Sequence, residues 1–520
     1  MSYWFDPSAP LPSDNAASPM RGVYRRILGY MALFWGGIAT AVALAMASSL
    51  FVVLQPWPIK FAIDGVLVSS QLDLGPLGEF PTASDGEKLR AAAALAGAYF
   101  GVTVAGVVLG ALSFYWIART ALYMIHGLRS RLMAHLRRLS LRFHAQQSLG
   151  DTIWRAINDA RSVQEVMIFG VRTWSILILR LALMVALMAV LDWRLTLVAL
   201  AALPLLFLTI HVLTGRIQST SQESREHMAR MTSLIEQTMG SIRAVQVFGR
   251  EGPERQRFER TSLAFVQAQL RFRVAEQVLN VATIVITGLG TAAVLMYASY
   301  RVIDGPLTVG SLWIFVAYMQ SLYQMMNEVM FVYGPFQDAV VGVGRVFQAL
   351  DQVSDVEEAR DAEPKPTFDQ GIRLRSVWVE YAPGKPVLRG IDLEVCKGEK
   401  VAIVGETGSG KTTVLNLIPR LFDVSGGAVE LDGRDVRRLR IADLRDLVSM
   451  VPQEPLLFSA SVRENILYGR LDASPEEVEE AARLARADGF IQELPAKYET
   501  EVGDRGVRLS TGQQQRISIA

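Results

Sequence analysis

Cysteine is nearly absent: Cys396 is the only one in 520 residues. That excludes an intrachain disulfide framework and a cysteine-rich metal site. Histidine is scarce as well, and His126, His135, His144, His211 and His227 form no metal-binding cluster in the sequence. No charge of either sign dominates. Lys and Arg number 52 against 51 Asp and Glu, a formal charge of +1, whereas nucleic-acid binders usually carry a strong basic excess. Charge of any kind is thin: 20% of residues are charged and 51% hydrophobic, with a mean hydropathy of +0.26. Soluble domains lie nearer ~25% charged, so a disordered chain and an ordinary soluble enzyme are both disfavoured. Residues 1–26 also lack a basic start ahead of a short apolar core, so they do not read as a cleavable signal. Asp6 and Asp14 precede the first arginine, Arg21, which a mitochondrial presequence avoids. We read residues 1–26 as a cytosolic tail.

What the chain does have is long apolar runs. Ile27–Leu54 and Ala91–Ile117 carry no charge. Thr173–Leu191, which holds Arg180, and Leu195–Leu213 are separated by Asp192, Trp193 and Arg194. Gln277–Tyr300 and Ser311–Gln337, broken by Glu328, complete six candidate spans. Each meets or exceeds the ~18 residues that a membrane-crossing helix requires. Arginines crowd the segments after span two (Arg119 through Arg172) and after span four (Arg216 through Arg273). The connection after span one is acidic (Asp64, Asp73, Glu79, Asp85, Glu87). The positive-inside rule therefore predicts both ends of the membrane domain, and the two basic loops, in the cytosol. Few Gly or Pro residues interrupt those loops, so they read as helical extensions of the spans. One turn-prone stretch breaks each: His144–Asp151 and Phe248–Arg255. Gly344–Thr367 reads as a charged linker, complete by residue 371, and 372–520 as an α/β domain of short strands, glycine turns and helices.

The most informative segment is VAIVGETGSGKTTVLNLI. Val401–Val404 is a short apolar, strand-like run. Gly405, Gly410, Lys411 and Thr412 then fit G-x-x-x-x-G-K-[ST], and a helical pattern follows. Glycines let a backbone wrap around phosphate oxygens with its amides inward, and the next helix presents its positive end. Lys411 supplies a cation for the β- and γ-phosphates, and the Thr412 hydroxyl suits Mg²⁺. The candidate ATP contacts within this loop are Gly405, Thr407, Gly408, Ser409, Gly410, Lys411, Thr412 and Thr413.

With the P-loop in place, a set of ordered motifs resembles the ATP-binding cassette (ABC) exporters that fuse six spans and one cassette in a single chain. YAPGKPVLRGIDLEV precedes the P-loop, and the resemblance makes Tyr381 the aromatic that stacks on adenine. SMVPQEPLLFSASVRENI resembles the Q-loop region, making Gln453 a candidate contact for Mg²⁺ and the attacking water. TEVGDRG (Thr500–Gly506) resembles the exporter segment that meets the coupling helices. LSTGQQQR (Leu509–Arg516) resembles the LSGGQ signature, with Thr511 in place of the middle glycine. In the membrane half, QPWPIKFAIDGVL and SIRAVQVFGRE agree. Taken singly, Tyr381 also reads as a half-buried strand aromatic, Gln453 as a solvated loop residue, and Ser510-Thr511-Gly512-Gln513 as a helix N-cap. The family uses that cap, an anion site, to close over ATP held by a second subunit.

The resemblance implies a six-span helical membrane domain with long cytosolic extensions, followed by a P-loop nucleotide-binding domain. It implies ATP and Mg²⁺ as cofactors and a second half-transporter as partner, a homodimer or a heterodimer, working by alternating access. The motifs that follow the signature in the family, Walker B with its catalytic Glu and the switch His, have no match up to Ala520. We therefore expect them in a longer reading frame and name no catalytic base in this chain. The alternative is an ATP-gated regulator, channel or partner subunit that does not hydrolyse. Gln320, Gln324 and Glu328 recur at i, i+4 and i+8 on one helix face, with Asn327 adjoining. Together with Arg180 they form a candidate substrate path, or else pack inside the bundle or snorkel to headgroups. Tyr318, Met319, Tyr323, Met325 and Met326 would suit an adaptable lining. A lipid, lipid-linked glycan or amphipathic drug is the expected substrate class, in a bacterial plasma membrane.

Overall fold

The computed structural model describes residues 19–68, 72–73, 79–80, 85–305, 307–364, 368–382, 384–503 and 509–520. These divide into two compact units, one of residues 1–137 and 149–352, the other of 138–148 and 353–520.

The first unit is helical. Helix α1 (Pro19–Ala32) is followed by α2 (Trp35–Leu54), α3 (Trp57–Ala62) and a short β-hairpin pairing Leu72–Asp73 (β1) with Glu79–Phe80 (β2). A 52-residue helix, α4 (Asp85–Leu136), comes next. After α5 (Leu141–Gln146), which belongs to the second unit, come α6 (Leu149–Trp154), α7 (Ala160–Glu165) and α8 (Trp174–Leu191), joined by wide helical turns. Then follow α9 (Trp193–Leu200), α10 (Ala202–Gly240), α11 (Ile242–Val247), α12 (Glu251–Ile303) and α13 (Val309–Leu350). Among the described residues, five stretches are long and apolar enough to cross a membrane: Trp35–Leu67, Asp85–Leu136, Gly150–Leu191, Trp193–Gly240 and Glu251–Ile303. The sixth expected span lies in α13, a continuous 42-residue helix with Pro335 inside it.

Small residues let the helices approach. Along α2 and α4, Ser48 Oγ donates to Gly106 O and Ser113 Oγ to Ala41 O, both at 2.8 Å. A Cβ at Gly106 would come within 3.3 Å of Phe51. Tyr318 Oη, buried in the bundle, donates to Val53 O at 2.6 Å and accepts from Trp57 Nε1 at 3.0 Å.

Several boundaries differ from those read in the sequence. A helix begins at Pro19, inside the expected tail, and Arg26 pairs with Asp351 while stacking over Phe347. The first span is broken at Leu33–Phe34. The first basic segment is interrupted twice, before Leu141 and again at Gln147–Ser148, and the second near Ser241 and at Phe248–Arg250. Helix α13 continues to Leu350, so Gly344–Leu350 is helix and not linker. Local composition cannot reveal this, because Val346, Phe347 and Ala349 are buried by neighbours distant in sequence.

The second unit carries a four-stranded antiparallel sheet in the order β4 (Lys385–Cys396), β3 (Gly371–Ala382), β5 (Gly426–Leu431), β6 (Arg434–Asp435). A bulge at Ser376 (φ +44°) shifts the inward phase, so Leu374 and then Val377 and Val379 reach the core. Gly427 sits opposite at φ +78°, where a Cβ would fall 2.3 Å from the carbonyl oxygens of Arg375 and Ser376. Helices α14 (Lys411–Leu417) and α15 (Ile441–Asp446) pack on this sheet. A second cluster gathers α16 (Val462–Leu467), α17 (Pro475–Leu484), α18 (Asp488–Glu493) and α19 (Thr511–Ile519) around Ile491 and Val502. Three of these helices open with capping boxes, Ser461/Glu464, Ser474/Glu477 and Ser510/Gln513. Val401–Val404 joins no ladder among the described residues, and Val404 is 87% exposed. The expected strand before the P-loop is thus not formed: a buried parallel strand is defined by neighbours on both edges, and its apolar pattern alone does not create them.

Candidate functional site

The P-loop turns at Gly410, which has φ +90° and sits at the N-cap of α14. A Cβ there would meet Leu388 Cδ2 at 2.7 Å, so β4 leaves room for glycine alone. Ser409 N donates to Glu406 O at 3.2 Å, tightening the loop. Lys411 Nζ donates to Gly405 O at 2.9 Å and to Glu406 O at 2.6 Å, which holds the ammonium over the loop. Thr407, Gly408, Ser409 and Thr412 are exposed, and Thr413 is buried beneath them.

Tyr381, at the end of β3, shares a 3.0 Å hydrogen bond between its Oη and Thr413 Oγ1. Its ring meets Phe422 edge-on, centroids 5.3 Å apart. The structure therefore brings the expected adenine-side aromatic to the P-loop helix. Arg142 of α5 donates to Tyr381 O at 2.6 Å and pairs with Asp355. The sequence marks a turn-prone stretch nearby, at His144–Asp151, but not Arg142 itself, whose partner lies 239 positions away. Nor does it mark Arg420, for the same reason. It is buried just after α14, holds Asp423 through two nitrogens, and donates to Glu357 O at 2.8 Å.

Gln453 is exposed and makes no hydrogen bond to the loop among the described residues. Ser510 caps α19: its Oγ accepts from Gln513 N at 3.3 Å, and its N donates to Gln513 Oε1 at 2.9 Å. Thr511 and Gly512 stay exposed at that helix start. Arg516 anchors the helix by stacking over Phe490 and donating to Arg486 O at 2.9 Å. Of the TEVGDRG segment, residues 504–506 lie outside the described residues.

In the membrane unit, Gln320, Gln324 and Glu328 are exposed along one face of α13, as their spacing predicts. The side chain of Asn327 lies outside the described residues. Arg180 Nε is buried with no hydrogen-bond partner among them. Tyr318, Met319, Tyr323 and Met325 are buried in the helix-packing core with Phe315 and Leu322.

A helical bundle with several membrane-spanning stretches, fused in one chain to a P-loop unit, defines a multi-pass membrane protein with a nucleotide-binding type of domain. The chain belongs to the ABC transporter family: residues 38–326 match its transmembrane region and residues 388–520 its ABC transporter domain. Relatives from Staphylococcus aureus strains NCTC 8325 and COL, both named multidrug export ATP-binding/permease proteins, are 32% identical over 468 residues, 90% of this chain and 79% of theirs. A solved bacterial Atm1-family ABC exporter with ATP bound shares the fold at a TM-score of 0.77 and 24% identity, covering 94% of this chain and 83% of that one.

Proposed function

We propose that the chain is one half of an ATP-driven exporter that moves a hydrophobic or amphipathic substrate (a lipid, lipid-linked glycan or drug) across a bacterial inner membrane. The family and the relatives' names support the class. The observation that carries it in this chain is the gathering of Lys411, Thr412 and Tyr381 around one loop. Those residues fit MgATP: an ammonium held over the loop carbonyls, an exposed hydroxyl beside it, and an aromatic next to the same helix. Lys411 would neutralise phosphate oxygens, Thr412 and Gln453 would hold Mg²⁺, and Tyr381 would stack on the base. The exposed start of α19, with Ser510, Thr511, Gly512 and Gln513, would close over a nucleotide held by the partner copy. The arginine-rich segments support a cytosolic side for the nucleotide unit.

Two measurements test this. Mg-dependent binding of a fluorescent ATP analogue to the detergent-solubilised chain should weaken about tenfold or more in Lys411→Ala, the loss of a charged hydrogen-bond partner of phosphate. ATP-dependent uptake of a lipophilic dye into inverted vesicles from expressing cells should disappear in the same variant. Nucleotide binding that ignores Lys411 would sink the reading.

A further inference from the structure

Ionisable groups inside membrane-spanning helices are costly and tend to mark function. Arg180 and Glu328 are such groups, Arg172 stands immediately before the span that holds Arg180, and the three come from two helices that pack against each other. The packing is antiparallel and its register can be followed. Arg345 Nε donates to Asp159 Oδ2 at 2.9 Å. A Cβ on Gly342 would lie 2.5 Å from Ser162 Oγ, and one on Gly170 would lie 2.6 Å from the Phe336 ring. Each step forward along the 159–191 helix is thus matched by a step back along α13. Continued one more stretch, this register puts Glu328 across from the interval between Arg172 and Arg180. The electrostatics agree: both guanidinium groups interact with Glu328, and Arg180 also interacts with Arg172.

Two cations here share one anion. Arg172 is positioned by its Nε bond to Ser113 Oγ at 3.4 Å and lies 5.7 Å over the Phe114 ring. Arg180 keeps a buried Nε without a partner among the described residues. Beside them Gln320, Gln324 and Glu328 form an exposed polar face on a helix whose opposite face is core. The cluster therefore has a surplus positive charge, an unused donor and an open side.

We propose that Arg172 and Arg180 receive the oxyanion headgroup of an amphiphile, with Glu328 as the counter-ion that the headgroup displaces. This deepens the export reading and rests on it. Guanidinium groups are weakly hydrated forks that match phosphate and carboxylate oxygens, and the apolar helices around them accommodate a hydrocarbon tail. A cationic amphiphile would find one carboxylate guarded by two like charges.

The test is binding to the chain in phosphatidylcholine nanodiscs, read by energy transfer from tryptophan to pyrene. The probes are pyrene-labelled dodecyl phosphate and pyrene-labelled dodecyl trimethylammonium. The phosphate probe should bind about tenfold tighter or better. Arg180→Gln should erase most of that preference, and Arg180→Lys should keep part of it. Glu328→Gln should strengthen phosphate binding, an effect opposite to that of general damage. Equal or tighter binding of the ammonium probe, indifference to Arg180→Gln, or weakening by Glu328→Gln would overturn the inference. So would displacement of the probe by millimolar inorganic phosphate, which would mean a free-anion site. Fluorescent-ATP binding by the same discs separates the two readings: headgroup selectivity can fail while Lys411-dependent nucleotide binding stands.

Discussion

Gly410 shows how one residue carries both shape and chemistry. Its left-handed backbone starts the helix that opens with Lys411, and the Leu388 side chain fills the place of a Cβ. Gly410→Ala therefore combines backbone strain with a steric clash, and should cost about 1–3 kcal/mol. Thermal unfolding of the variant should shift down, and its affinity for the fluorescent nucleotide should fall because the amides that face phosphate move with the turn. Unchanged unfolding and unchanged affinity would show that the loop relaxes freely. At this scale the sequence is legible where function depends on close spacing. Gly405 through Thr413 is read from one short window, and the Ser510/Gln513 cap from another. Arg142 and Arg420 are not legible, because what distinguishes them from any other arginine is a carbonyl supplied from far along the chain.

Helices are read from runs, and the long apolar runs here do become long helices. Joints between helices depend on capping contacts that composition hides. Asp192 is such a joint. Its Oδ1 accepts from Arg194 N and Leu195 N at 2.9 and 3.1 Å, capping α9, while its Oδ2 accepts from Arg301 Nε and Nη2 at 3.0 and 2.8 Å. Burial pushes this carboxyl up, but the Leu195 amide and the Arg301 guanidinium outweigh it and hold the group below its ordinary value. Folding thus favours the ionised form. Its contribution is present above the unfolded value near pH ~4 and is lost as pH falls through the lower folded value. Asp192→Ala removes the cap, a loss of about 1 kcal/mol, and also leaves Arg301 without its carboxylate. The melting temperature in detergent should drop at pH 7, and the gap between wild type and Asp192→Asn should close as pH is taken below ~4. A gap that widens on acidification would contradict this reading of the joint. The same reasoning explains the three elements that local pattern misjudged. The helix at Pro19 and the last turns of α13 exist because distant apolar side chains cover them, whereas Val401–Val404 has strand composition without paired neighbours.

For the whole molecule, the arrangement of the two nucleotide elements poses a question of stoichiometry. The chain holds one P-loop and one exposed cap at the start of α19. If both serve one ATP inside a single copy, a variant damaged at either element stays dead in any mixture. If each ATP lies between the P-loop of one copy and the cap of another, two damaged chains can complement. Lys411→Ala spoils the P-loop and spares the cap; Gly512→Asp places a carboxylate at the anion-facing helix start and spares the P-loop. A mixed dimer then contains one site with both elements intact and one with neither. Equal co-expression with random pairing makes half the dimers mixed, so radiolabelled ATP occluded by the mixture should reach about a quarter of the wild-type level for an isologous pair. Each variant alone should occlude almost none. Recovery in the mixture would require the P-loop and the cap to meet across two copies. No recovery, with both variants folded and co-purifying, would place the pair within one copy and remove the reason for a dimer.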